Sequence, residues 1–194
     1  MDSNTLKGLR FEHYVEQLFK GCGLRDVERN LLYIRKAGRM IGKRNVAQVD
    51  IQVGKKGLNI QLDKMRLFRA PQIYELKYSS GHRLPYNGRA SSTGVTNAVD
   101  QILRAADITK CDIGGIVTNA LFSEDLQEYA DKMGVKLYDA KALLILEQYR
   151  QNRESKTSRT DLSRIKPSIA ARLVTYYVMH MPLPSDRAPK TIYL

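Results

Sequence analysis

Apolar residues recur at helical spacing from the start of the chain. Across residues 5–20, Phe11, Val15, Leu18 and Phe19 fall on one stripe that ends at Gly21, Cys22 and Gly23, which predicts an amphipathic first helix. Glu12 and Glu16, four residues apart, share another face of it. The pattern then changes to short apolar runs. Residues 31–35 read as a strand and residues 36–45 as a basic, glycine-punctuated loop. Val49, Ile51 and Val53 alternate with Asp50 and Gln52, as in a strand with one buried face. A turn at 54–57 and a hairpin return at 58–62 follow, then a strand over 73–78 in which Glu75 and Lys77 project to one side. Residues 79–93 are polar and rich in turn formers, and are expected to form an exposed loop.

In the second half Val95, Val99, Ile102 and Ala106 predict a second helix, and residues 113–118 a central strand containing two glycines. Ser123, Glu124 and Asp125 open a helix that ends at Gly134, a short strand covers 135–138, and Asp139 is placed to cap a helix running through 149. This alternation predicts an α/β fold, a mixed central sheet with helices on its faces. Residues 151–166 carry five Lys or Arg against two acids and read as a linker or an exposed basic helix. Pro167 and Ser168 open another helix, whose Ile169, Leu173, Tyr176 and Tyr177 form an apolar stripe before Pro182 and Pro184. The expected organisation is a core domain over residues 1–150 and, over 151–194, a basic linker with a C-terminal helical extension.

Composition narrows the class of protein. A chain of 194 residues suits one principal domain. No run approaches the roughly 18 apolar residues needed to cross a bilayer, and the first ten residues lack the apolar core of a secretory signal. No membrane partner is expected, and cytoplasmic is the default address, with an organellar or nuclear one left open. Cys22 and Cys111 lie far apart with no Cys or His at metal-ligand spacing, which points to reduced thiols rather than a disulfide framework or a zinc site. The 32 Lys and Arg against 20 Asp and Glu leave a formal charge of +12, an excess that attracts polyanions. Nucleic acid is the leading partner, with general solubility or an anionic membrane surface as the alternative. Residues 43–69 hold seven Lys or Arg and only two acids, Asp50 and Asp63.

Those acids matter for chemistry. Phosphodiester hydrolysis needs an activated water, stabilisation of charge on the phosphate and help for the leaving oxygen, and Mg²⁺ held by carboxylates supplies most of this. Asp50 on one strand and Glu75 on a neighbouring one bring two hard oxygen ligands to one sheet edge. Lys77 points an ammonium to the same side as Glu75, and the carbonyl of Leu76 is available to complete a metal shell. Asp63 is a rival to Asp50, which is preferred because it sits in a cleanly alternating strand.

The segment Gln48-Val49-Asp50, followed by Glu75-Leu76-Lys77 within residues 73–79, resembles the acid and E-x-K elements of the PD-(D/E)xK nuclease superfamily. In order, residues 8–15 with the pair Phe11-Glu12, residues 114–119 and residues 130–140 resemble its Mrr-like restriction endonuclease branch, so the resemblance covers about residues 6–147. It implies a restriction-endonuclease-like mixed sheet flanked by helices, Mg²⁺ as cofactor with Mn²⁺ as a substitute, and double-stranded or branched DNA as partner. It also implies a further carboxylate from the first helix, Glu12 or Glu16, with Glu12 favoured, and a polar contribution from Gln101 on the second. Val49 stands where the family's usual proline precedes the acid, and the interval from Asp50 to Glu75 is longer than in compact members.

The expected function is a Mg²⁺-dependent DNA endonuclease. The alternatives are a structure-selective nuclease such as a Holliday-junction resolvase, or a DNA-binding module of the same fold without turnover. Cutting two strands suggests a homodimer. The simpler readings stand beside these: Glu75 and Lys77 as a solvated strand pair, Asp50 as a sheet-edge acid, Glu12, Glu16 and Gln101 as helix-surface groups. His82, Arg83 and Arg104 are candidate phosphate contacts or merely solvated charges. His13 reads as a surface histidine, and Tyr176 and Tyr177 as base-stacking groups or, in preference, an apolar packing face.

Overall fold

The computed structural model describes residues 3–34, 46–55, 70–81, 83–86, 97–155, 162–185 and 188–194. Along the chain these form α1 (Ser3–Gly21), β1 (Val27–Ile34), β2 (Val46–Val53), β3 (Gln72–Lys77), β4 (Arg83–Leu84) and α2 (Ala98–Thr109). There follow β5 (Asp112–Thr118), β6 (Leu121–Phe122), α3 (Glu124–Lys132), β7 (Leu137–Tyr138), α4 (Ala140–Ser155), α5 (Pro167–His180) and β8 (Lys190–Tyr193). Six strands make one mixed sheet in the order β7-β5-β3-β2-β1-β8. β1, β2 and β3 are antiparallel neighbours, β5 and β7 run parallel beside β3, and β8 runs parallel to β1. β4 and β6 pair separately. The protein is therefore α/β, with a mixed six-stranded sheet and five α-helices among the described residues.

Each face of the sheet buries its own core. On one, Phe11, Val15 and Leu18 of α1 meet Ile51, Leu76 and Val117 of the strands, Leu143 of α4 and Val174 of α5. On the other, Val99 and Ile102 of α2 and Leu126 and Ala130 of α3 cover Leu31, Tyr33, Val49, Ile73 and Ile116. Burial of such side chains stabilises by about 1.5–3 kcal/mol each, which is why the helical stripes face inward. Local signals set the helix starts. Asn97 accepts from the Asp100 N–H at 2.9 Å to open α2, Ser123 from Leu126 to open α3, and Asp139 from Ala142 at 2.9 Å to open α4. In β5 the two glycines have a packing reason: a Cβ on Gly114 would run into the Tyr74 ring, where the β3–β5 register shifts, and one on Gly115 into the Lys136 carbonyl.

Several elements differ from the sequence reading. β1 begins at Val27, four residues early, because the polar Glu28, Arg29 and Asn30 disguise its first half. Val49 and Ile51 do not share a buried face: Val49 packs with α2 and Ile51 with α1. The position expected to end the core domain, 150, falls inside α4. α5 packs Ala170, Ala171, Val174 and Val178 into the α1 core, while Ile169, Leu173 and Tyr176 of the expected stripe face outward, Ile169 at 46% and Tyr176 at 58% exposure. The small residues win the interior because they let α5 lie close to its neighbours. β4, β6 and β8 were not anticipated. The expected loop at 36–45, the hairpin return at 58–62, Asp63, His82 and Val95 lie outside the described residues. No helix among the described residues is long and apolar enough to cross a membrane.

Candidate functional site at the end of the β2–β3 ladder

β2 and β3 pair over only three positions, Val53↔Gln72, Gln52↔Ile73 and Ile51↔Tyr74. The next position in this register sets Asp50 against Glu75. There the backbone ladder stops, and a side chain takes over: the Leu76 N–H donates to Asp50 Oδ2 at 2.7 Å. A backbone donor that would be left unsatisfied at a ladder's end is thereby paired.

Glu75 and Lys77 are two apart on β3 and share its α2-facing side, as strand alternation requires. Lys77 Nζ lies 2.5 Å from Glu75 Oε1 and donates to Gln101 Oε1 of α2 at 2.7 Å. Glu75 is buried, while Lys77 retains access to solvent. Glu12 reaches toward this cluster from α1, on the opposite side of the sheet, near enough for its charge to act on both Asp50 and Glu75. The structure thus gathers Asp50, Glu75, Leu76, Lys77 and Gln101 at one point, with Glu12 at its margin.

Electrostatics marks the point as unusual. Burial raises the Asp50 carboxyl well above its ordinary range, and the neighbouring Glu75 and Glu12 charges raise it further, against the lowering effects of the Leu76 N–H and Lys77. Asp50 nevertheless keeps a partial opening to solvent. Glu12 is also raised, by burial first and then by Glu75, with Arg29 opposing. Glu16 behaves differently. Burial pushes it up, but hydrogen bonds from Lys20 at 2.6 Å and Arg29 Nε at 3.2 Å outweigh that and hold it below the ordinary range. His13 approaches the same Glu16 at 3.4 Å. Glu16 is therefore committed to three partners, whereas the ion pair of Glu12 with Arg29 is longer, 3.7 Å.

By its donors such a set suits a hard divalent cation: Asp50 and Glu12, raised by burial and then by neighbouring acids, would be relieved by a bound positive charge. Among the described residues no three Asp, Glu, His or Cys side chains are gathered tightly enough to enclose an ion. Each carboxylate is engaged within the protein instead: Glu75 pairs with Lys77, Asp50 accepts the Leu76 N–H, and Glu12 pairs with Arg29.

Three residues were not singled out from sequence. Arg29, almost wholly buried, joins β1 to both α1 acids, and only its place before an apolar run could have marked it. Asn30 has a left-handed backbone within β1, with φ of 54°. Asn119, at 1% exposure, clamps the chain leaving β3: it accepts from Ser79 N at 2.7 Å and donates to Ser79 O at 2.9 Å. It also donates to Thr175 Oγ1 of α5 at 3.1 Å. Of the remaining candidates, Tyr177 stacks on Tyr14 and Tyr176 is exposed beside His180. Comparison with protein-family models, with curated proteins and with solved structures returns no match.

Proposed function

We propose that this chain is a Mg²⁺-dependent DNA endonuclease with a restriction-endonuclease-like fold of the PD-(D/E)xK kind. One observation carries the reading: Asp50 faces Glu75 at the position where the β2–β3 ladder ends, and Lys77 stands 2.5 Å from Glu75 with Gln101 holding its ammonium. The formal charge of +12 supports a polyanionic substrate.

Asp50, Glu75 and the carbonyl of Leu76 would hold Mg²⁺, with Glu12 as the carboxylate from the first helix. The bound ion would lower the pKa of its water and neutralise charge on the scissile phosphate. Lys77 orients the attacking water and donates to the phosphate oxygens as their charge grows. Gln101 fixes the direction of the Lys77 ammonium, and the chain's excess of Lys and Arg supplies contacts to the phosphate backbone.

The test is cleavage of supercoiled plasmid by the purified full chain in Mg²⁺, in Mn²⁺ and in chelator, beside a four-way junction and a linear duplex of matched sequence. Nicked and linear products that need the metal are the expected result, and the junction-to-duplex ratio reads structure preference. Binding of DNA without cleavage in either metal would leave a DNA-binding module and overturn the enzyme.

A further inference from the structure

Regular strands place residues two apart on the same face. β1 and β2 break this rule at the same place. Val27 and Arg29 face α1, whereas Leu31 and Tyr33 face α2; on the partner strand Ile51 faces α1, whereas Val49 and Ala47 face α2. The register is unchanged on either side, Arg29↔Ile51 and Leu31↔Val49, so both strands exchange faces across the position between them, occupied by Asn30 and Asp50. Asn30 supplies the cause. Three non-glycine residues have positive φ among the described residues, and two of them lie outside strands, Asp26 before β1 and Lys110 at the end of α2. Asn30 alone lies within a strand, and asparagine enters the left-handed region more readily than other residues with a Cβ.

The exchange has two consequences at the Asp50–Glu75 cluster. Asp50, caught between opposed neighbours, is set to turn its carboxylate to the Leu76 N–H of β3. Arg29, on the near side of the break, is brought beneath α1, where it meets Glu12 and Glu16. Had β1 kept a regular alternation with Leu31 and Tyr33 in the α2 core, Arg29 would point away from α1 and Glu12 would lose its partner.

We propose that Asn30 is a positioning residue, whose left-handed backbone sets two carboxylates of the cluster, Asp50 directly and Glu12 through Arg29; this rests on reading the cluster as a metal-dependent nuclease site. The positioning is assigned to the backbone conformation of residue 30. Glycine supplies that conformation freely, and valine, branched at Cβ, opposes it.

The experiment compares full-length wild type, Asn30→Gly and Asn30→Val in three measurements: Mn²⁺ affinity by calorimetry, plasmid cleavage in Mg²⁺, and NOEs from Val49 to α2 and from Ile51 to α1. Asn30→Gly is expected to keep Mn²⁺ affinity and cleavage within threefold of wild type and both sets of NOEs. Asn30→Val is expected to lose at least tenfold in Mn²⁺ affinity and at least a hundredfold in cleavage. Should Asn30→Val not fold, Asn30→Ala replaces it, with losses in the same direction. A folded Asn30→Gly variant that fails in Mn²⁺ binding, or a valine or alanine variant equal to wild type, overturns the proposal. The nuclease reading fails separately: wild type that binds Mn²⁺ and cuts no DNA removes the reaction but leaves the positioning claim intact. If wild type binds no metal, the NOEs alone decide the claim, since their loss in Asn30→Val and survival in Asn30→Gly need no metal.

Discussion

Asp50 accepts the Leu76 N–H at 2.7 Å with its side chain, at the first position where the backbone of β2 no longer pairs with β3. A carboxylate is thus built into the sheet as a substitute for a strand, and burial and its acidic neighbours hold its pKa high. A carboxyl with a raised folded pKa binds more protons folded than unfolded between the two pKa values. In metal-free protein its contribution to stability therefore falls as pH rises through that window. Asp50→Asn keeps a side-chain oxygen for the Leu76 N–H and removes the charge. It should melt higher than wild type at neutral pH without metal, by roughly 2–4 °C for each kcal/mol relieved in a chain of this size, and should cut no DNA. Thermal melts at pH 7.5 check the first outcome and plasmid assays the second.

If Mg²⁺ binds as proposed, protons compete with it for the raised carboxylates, Asp50 and Glu12. At low Mg²⁺ the cleavage rate should climb with pH above the ordinary carboxylate range, and higher Mg²⁺ should shift that limb toward acid. Rate profiles at two Mg²⁺ concentrations test this. A limb that does not move with Mg²⁺ would detach the metal from these groups.

Lys77 and Gln101 make different predictions although they share a 2.7 Å hydrogen bond. Lys77→Met removes the donor nearest Glu75 and should lower cleavage by about 10²–10³, the usual effect of deleting a charged stabilising group. Gln101→Leu removes only its orientation, and a loss of roughly tenfold, one hydrogen bond's worth, is expected. Single-turnover rates separate the two.

Arg29 should matter for stability before activity. Its side chain is almost wholly buried and serves two acids, so Arg29→Met leaves both less compensated and is expected to destabilise by about 3–5 kcal/mol. Urea unfolding of the metal-free protein measures it. Truncation before α5 should be harsher still. Ala170, Val174 and Val178 are wholly buried and Thr175 meets the Asn119 clamp on Ser79, so the shortened chain should not give a cooperative thermal transition.

Much of this was legible along the chain. The Phe11, Val15, Leu18 and Phe19 stripe buries as the periodicity of α1 requires, and Glu75 and Lys77 share a side because a strand offers only two. The face exchange at Asn30 and Asp50 was not legible, because Val49, Ile51 and Val53 alternate faultlessly in sequence and the interruption is imposed from the neighbouring strand. α5 misled for a different reason. Hydrophobicity marks Ile169, Leu173 and Tyr176, but close helix packing rewards Ala170, Ala171 and Val174. β8 pairs with a strand about 160 residues earlier through four residues, two of them polar, and nothing local announces it.

As proposed, Asp50, Glu75 and Lys77 form a nuclease site separate from the charges that bind DNA. The decisive measurement is plasmid cleavage by Glu75→Ala, at matched Mg²⁺ and with DNA affinity measured on the same preparation. Cleavage is expected to fall by at least about 10³ with affinity unchanged or slightly higher, since an acid has been removed from a chain of net charge +12, and with affinity still falling steeply with salt. Cleavage equal to wild type by a folded Glu75→Ala protein would contradict it.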